Sequence, residues 1–171
     1  MKLDSLTETL NLISNNLEIN SYLELGVEQG FNFCETSKKC KRSIGVDIKN
    51  QLKCELPQNA SFFLGSTNDF FSQNEEMFDF ILIDASHSHE DSLRDFINSS
   101  KYLNDNGLIV MHDSYPANKS MSIPELCGEV YKTVIFIKQN FLEDFECFTF
   151  PFHPGITLIR KIKKNKQVSW T

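Results

Sequence analysis

The stretch F-D-F-I-L-I-D-A-S-H-S-H-E-D (residues 78–91), followed after a helical segment by N-D-N-G-L-I-V-M-H-D (104–113), decides how this chain folds. Two short apolar runs, 80–83 and 108–111, each end in titratable residues: Asp84, His87 and His89 after the first, His112 and Asp113 after the second. Fully apolar runs bounded by polar turns are the mark of parallel strands covered on both faces. Between them Leu93, Phe96, Ile97, Ser100 and Leu103 recur at helical spacing, so the unit is strand–helix–strand with a right-handed crossover. Both strands then run the same way, and Asp84, His87, His112 and Asp113 come to one edge of the sheet. Open α/β sheets bind ligands at that edge.

Outward from this unit, the remaining chain supplies more of the same pattern. Leu3, Leu6, Leu10, Ile13 and Leu17 predict an amphipathic helix within residues 1–18, packed on the sheet or on a partner copy, which leaves a homodimer open. A first strand, 21–25, runs into G-V-E-Q-G-F-N-F. A helix starts there near Gly30 and fades through Lys38, Lys39, Lys41 and Arg42, cations suited to a helix C-terminus. A second strand, 43–47, ends in Asp47. A third, 61–64, ends at Gly65-Ser66-Thr67, where Ser66 or Thr67 caps a short helix. Residues 114–124 carry two prolines and small polar side chains, the composition of a loop that covers a pocket. A helix is expected over 125–138, then strands over 145–149 and 155–160. The expectation is one α/β domain over 1–171. Its core is a Rossmann-like, doubly wound, mostly parallel seven-stranded sheet with an antiparallel edge strand, helices on both faces and a basic tail at 161–171.

At 171 residues the chain suits one domain with a substantial core. A net charge of −6, with no basic face outside the tail, argues against nucleic acid as a partner. No apolar run approaches membrane-spanning length and no leader pattern opens the chain, so no membrane partner and a cytoplasmic location are expected. The five cysteines, odd in number and without a C-x-x-C pair, read as isolated thiols.

Glu24-x-Gly26-x-x-x-Gly30 follows a strand and opens a helix. Glycine at such a turn lets backbone approach a ligand closely. Asp47, 21 residues beyond Gly26 at the next strand tip, is suited to accept hydrogen bonds from ribose hydroxyls. The spacing is not G-x-G-x-x-G, which argues against a nicotinamide or flavin dinucleotide.

With these motifs the chain resembles the class I S-adenosylmethionine-dependent methyltransferases. More narrowly, it is similar to a small bacterial-type group with I-D-x-x-H after the fourth strand and H-D after the fifth, here I-D-A-S-H-S-H (83–89) and V-M-H-D (110–113). The segment L-C-G-E-V-Y-K (126–132) also looks like a W-x-G-D-V-W-K stretch of some members. Departures are His89 for an aromatic residue, and Cys127 and Tyr131 for tryptophans.

The resemblance implies S-adenosyl-L-methionine as cofactor. Glu24, Gly26, Gly30 and Asn32 would line its methionine end, Asp47 would hold the ribose, and Ser66 would lie near the adenine. Asp84 would sit beside the sulfonium, with His87, His112 and Asp113 facing a small-molecule acceptor, a hydroxylated metabolite or sugar. Methyl transfer needs positioning more than covalent help, plus a base for a hydroxyl proton. His87 is the first candidate for that base and His112 the second. Asp84, His112 and Asp113 form a candidate ligand set for Mg2+ or Mn2+, which would anchor the acceptor and acidify its hydroxyl. Two other classes compete: a cofactor-binding module without turnover, and a metal-dependent hydrolase using the same acids.

Overall fold

A computed structural model describes residues 5–162. Helix α1 (Ser5–Asn16) leads into β1 (Ser21–Leu25), α2 (Phe31–Ser37), β2 (Arg42–Asp47), β3 (Ala60–Leu64) and α3 (Thr67–Gln73). The central unit is β4 (Phe78–Ile83), α4 (His89–Lys101) and β5 (Leu103–His112), followed by α5 (Val130–Asn140), β6 (Phe145–Phe150) and β7 (Ile156–Lys161). The seven strands form one sheet in the order β3-β2-β1-β4-β5-β7-β6. Strands β1 to β5 pair in parallel. β7 is antiparallel to both β5 and β6, so the reversed strand lies one place in from the edge and β6 is outermost.

Burial on both faces explains the unbroken apolar runs. All five residues of β1 are buried, as are all but Asp79 in β4. On one face Phe70 and Phe71 of α3, Phe96 of α4, and Val130, Val134 and Ile137 of α5 pack against Leu23, Ile81 and Ile109. On the other, Leu6, Leu10 and Ile13 of α1 join Phe33 of α2 over Tyr22, Phe80 and Leu82. The expected amphipathic helix therefore packs on its own sheet. Leu17, counted in its apolar stripe, is 53% exposed, and Leu3 lies outside the described residues. Strand order reverses between β1 and β4, so their carboxyl tips open a crevice there.

Three expectations need correction. β5 starts at Leu103 rather than Leu108, because a register shift between Phe78 and Phe80 lets it pair with β4 from its first residue. The helix expected over 125–138 begins only at Val130: Gly128 has φ +53, and its backbone lies so close to His87 that a Cβ would come within 2.3 Å of the His87 carbonyl. Cys34 and Cys54 form a disulfide, not two free thiols. The segment after β2 turns back over α2, with the Lys53 amide donating to the Gln29 carbonyl, and this return brings residues 20 apart in sequence together. Cys40, Cys127 and Cys147 are free.

The basic cluster after α2 is occupied at the surface. Lys38 pairs with Glu35, Lys41 with Glu18 and Arg42 with Glu76, while Lys39 donates to Asn11. Of the basic tail, residues 163–171 lie outside the described residues. No helix among the described residues is long and apolar enough to cross a membrane.

Candidate active site

The strand tips enclose a cavity of about 620 Å3. Its walls bring together Glu24, Gly26, Asn32, Asp47, Asp84, His87, His112 and Asp113, eight of the ten residues the sequence singled out. Ser66 lines a neighbouring cavity of about 320 Å3, which shares Gly26, Asp47 and Ala85 with the first. Gly30 lines neither. It has φ +84 at the start of α2, and a Cβ there would strike Leu52 and Cys54, so this glycine serves the turn and the segment packed over it.

At the β1 tip, Gly26 has φ +86, and a Cβ would fall 2.2 Å from the Asp84 carbonyl oxygen. Only glycine lets the β1 turn cross the β4 tip this closely. The crossing is stitched by the Gly26 amide donating to Val46 and the Asp84 amide donating to Leu25. Asp47 Oδ2 accepts from the amides of Val27 (3.0 Å) and Glu28 (2.9 Å), and its Oδ1 accepts from Lys49 (2.9 Å). A carboxylate has about four acceptor sites. Asp47 thus spends most of them fixing the turn, and keeps little capacity for a ribose.

Glu24 is 2% exposed at the cavity floor, where Tyr22 donates to its Oε2 at 2.5 Å. Burial pushes the Glu24 carboxyl up to about 8, against the Tyr22 hydrogen bond and with a smaller push from Asp84. Asn32 Oδ1 accepts from Thr7 Oγ1 at 2.7 Å, which ties α2 to α1 at the cavity rim.

The β4 and β5 tips carry a different kind of structure. His112 Nδ1 lies 3.1 Å from Asp84 Oδ1 and 3.3 Å from Asp113 Oδ2, and His87 Nε2 lies 3.1 Å from Asp113 Oδ2. Asp113 has φ +55, a left-handed conformation for a non-glycine residue. Burial alone would lower His112, but Asp113 and Asp84 outweigh it and hold the imidazole at about 10. Burial would raise Asp113, yet His112 and His87 keep its carboxyl far below the usual range. Burial raises Asp84 despite His112.

His87 is raised chiefly by its hydrogen bond to Asp113, against burial. Its Nδ1 faces the Pro124 carbonyl at 3.0 Å, so both ring nitrogens point at acceptors, an arrangement that favours the protonated ring. His89 turns away from the cavity to bond Thr133 Oγ1 at 2.8 Å. Asp84, His87 and Asp113 each present one ligand atom, all within 4.8 Å of one another. The imidazole in that trio is His87, where the sequence reading placed His112.

Some lining residues were not anticipated. Ile48, 69% exposed, walls the smaller cavity directly after Asp47, and Phe31, 58% exposed, stands at the rim of the larger one. An apolar residue one step past a strand-tip acid was the available signal for Ile48. Pro124 and Gly128 gave none, since a folded loop brings them onto His87.

The family model described as a methyltransferase domain matches residues 23–114, from within β1 to just past Asp113. The chain belongs to this methyltransferase domain family. The matched span carries every strand-tip residue described above. Solved structures extend the likeness to almost the whole of this chain. An O-methyltransferase from Bacillus cereus in complex with SAH is 13% identical, with 94% of this chain and 82% of that one covered at a TM-score of 0.76. The O-methyltransferase TomG from Streptomyces achromogenes, involved in tomaymycin synthesis and in complex with SAM, is 13% identical over 95% and 82%, with a TM-score of 0.76. The N-methyltransferase NodS from Bradyrhizobium japonicum is 14% identical over 92% and 94%, with a TM-score of 0.63. At such identities the likeness speaks for the fold. No curated protein sequence matches the chain.

Proposed function

We propose that the protein transfers a methyl group from S-adenosyl-L-methionine to a hydroxyl of a small metabolite or sugar, with a divalent cation assisting. The observation that carries this is the shared cavity at the switch point, in a chain of a methyltransferase domain family. Bound SAH and SAM in the Bacillus cereus and TomG structures support the same cofactor here.

The chain's own groups fit that cofactor. Glu24 offers a buried carboxylate for the amino group of the methionine end, beside Asn32. The close crossing at Gly26 leaves backbone, not side chain, against the ligand. Asp47 holds the amides of Val27 and Glu28 in place and has one remaining site for a ribose hydroxyl. Ile48 gives the smaller cavity an apolar wall and Ser66 a polar one, suited to a purine. The cofactor supplies an electrophilic methyl group, so the protein's contribution is alignment of the acceptor.

Asp84 and Asp113 are the natural cation ligands, with His87 as third donor and His112 held between the two acids. Two carboxylates suit Mg2+ or Mn2+, and an imidazole favours the latter. Such an ion would lower the pKa of an acceptor hydroxyl. When the ion is held by the two acids alone, His87, once its ring has given up its proton, is the base we assign, and His112 a positioning group for Asp84 and Asp113. The acceptor is a small molecule rather than nucleic acid or membrane, in keeping with the acidic cavity. A cytoplasmic location and a homodimer remain part of this reading.

The test is methyl transfer from labelled S-adenosylmethionine to a panel of hydroxylated metabolites, with and without chelator. Turnover that is lost in chelator and restored by Mn2+ or Mg2+ is expected. Turnover indifferent to chelator would remove the metal, and cofactor binding without turnover across the panel would leave a binding module.

A further inference from the structure

Away from the strand tips lies a second space, larger than the cofactor cavity. A groove of about 1020 Å3 runs between the 114–124 loop, α5 and the end of β6. Tyr115, Ile123, Tyr131 and Ile135 give it aromatic and aliphatic walls, and Tyr115, Ile123 and Ile135 are 45%, 44% and 50% exposed. Lys119, Lys132 and Lys138 line it against a single acid, Glu129. Glu129 pairs with Lys132, and the Lys138 ammonium is held on the wall by donating to Thr149 Oγ1 at 2.9 Å. The groove thus keeps an excess of positive charge in a chain of net charge −6.

The cofactor cavity has the opposite sign: the acids Glu28, Asp47, Asp84 and Asp113 in its walls outnumber the imidazoles of His87 and His112. Consecutive residues at the β5 tip line one space each, Asp113 the cofactor cavity and Ser114 the groove. The loop between them is anchored at both ends. Its root is clamped by the Tyr115 amide donating to Pro154 (2.9 Å), and its far end bears on His87 through the Pro124 carbonyl. One segment therefore forms a wall of the groove and touches the proposed base.

We propose that this groove binds an amphipathic organic anion, an aromatic or aliphatic body bearing a carboxylate, sulfate or phosphate. That anion is the non-reacting part of the acceptor. The acids at the strand tips repel such a group while the lysines attract it, so the two fields together turn the acceptor's hydroxyl toward Asp84 and Asp113. Calling the ligand an acceptor rests on the methyl-transfer reading above; the anion site does not.

The test is a calorimetric titration of naphthalene-2-sulfonate against 2-naphthol, probes that share a ring system and differ in charge. The sulfonate is expected to bind at one site about tenfold or more tighter than the naphthol. It should weaken as salt is raised through the range where the Debye length falls from about 10 Å to about 3 Å. Lys119→Glu with Lys132→Glu, both on exposed residues, should cost about tenfold or more in sulfonate affinity and leave S-adenosylhomocysteine affinity unchanged. Lys119→Arg should bind as the wild type does. Equal affinity for the two probes, or no response to the charge reversals, overturns the proposal. So does a dimer that buries the groove and dissociates in Ile135→Glu. Sulfonate binding without any S-adenosylhomocysteine binding would retire the methyl-transfer reading and leave the anion site standing.

Discussion

The two sides of the switch point are built from different material. On the β1–β2 side the contacts that fix the turns run through main chain, Gly26 crossing the β4 tip and Asp47 binding three backbone amides, with Tyr22–Glu24 and Thr7–Asn32 the side-chain pairs beside them. On the β4–β5 side they are side-chain: Asp84, His87, His112 and Asp113 bind one another. A main-chain cradle has few alternative arrangements and suits a part of the reaction that never varies. A cluster of mutually bonded titratable groups can exchange partners with a proton, a cation or a hydroxyl, and suits the part that changes. Substitutions on the two sides should therefore separate binding from turnover.

The sharpest contrast is expected at the β4–β5 side. His87→Ala should bind S-adenosylhomocysteine as the wild type does and lose about 10²- to 10⁴-fold in turnover, the usual range for a positioned acid or base. Asp113→Asn should lose turnover on a similar scale, and also the cation response. Single-turnover kinetics beside calorimetry decides this. A parallel loss of affinity in both variants would merge the two sides.

Next in size is the pH dependence set by Glu24. Its folded carboxyl is raised from 4.5 to about 8, so the folded chain holds a proton that the unfolded chain has released across that window. The resulting stability is fully present below pH 4.5 and is lost as pH rises to about 8. Relative to Glu24→Gln, which cannot ionise, the wild type should lose on the order of a few kcal/mol between those limits. Urea unfolding of both proteins at several pH values measures it, and parallel curves would contradict it. If the amino group of S-adenosylhomocysteine pairs with ionised Glu24, as proposed above, saturating ligand should flatten the difference.

The smallest effect lies at the far end of the main-chain side. Ser66 caps α3 in a reciprocal box with Asp69, accepting from the Asp69 amide at 3.1 Å while Asp69 takes the Ser66 amide. Ser66→Ala should cost about 1 kcal/mol in thermal or urea unfolding. A larger change in ligand affinity than in stability would indicate a direct part in holding the adenine.

This division also explains what could be read from residues alone. Glu24, Asp47, Asp84 and His112 sit on or directly after strand ends, and parallel strands in a crossover unit align their tips whatever fills the loops. Their convergence followed from periodicity, and the alternation of apolar runs with helical spacing yielded the sheet itself. Contacts that depend on how a loop returns were invisible. Cys54 meets Cys34 because the segment after β2 folds back, and nothing local in either sequence marks it. The start of α5 moved because Gly128 must clear His87, a residue 41 positions earlier. The proton state of His87 likewise depends on Pro124, and the lysine groove on three elements meeting. One antiparallel strand was expected, at the edge; the structure reverses β7 and inserts it between β5 and β6, since hairpin neighbours can add to a sheet in either order.

The central claim is that the crossing at Gly26 forms the floor of a cofactor site. Calorimetric titration of S-adenosylhomocysteine into the wild-type protein and into Gly26→Arg tests it most directly, with thermal unfolding of both followed in parallel. One-site binding to the wild type and none to a Gly26→Arg protein that still unfolds cooperatively is the predicted result. Undiminished affinity in Gly26→Arg, or no binding to the wild type at any concentration, would contradict it.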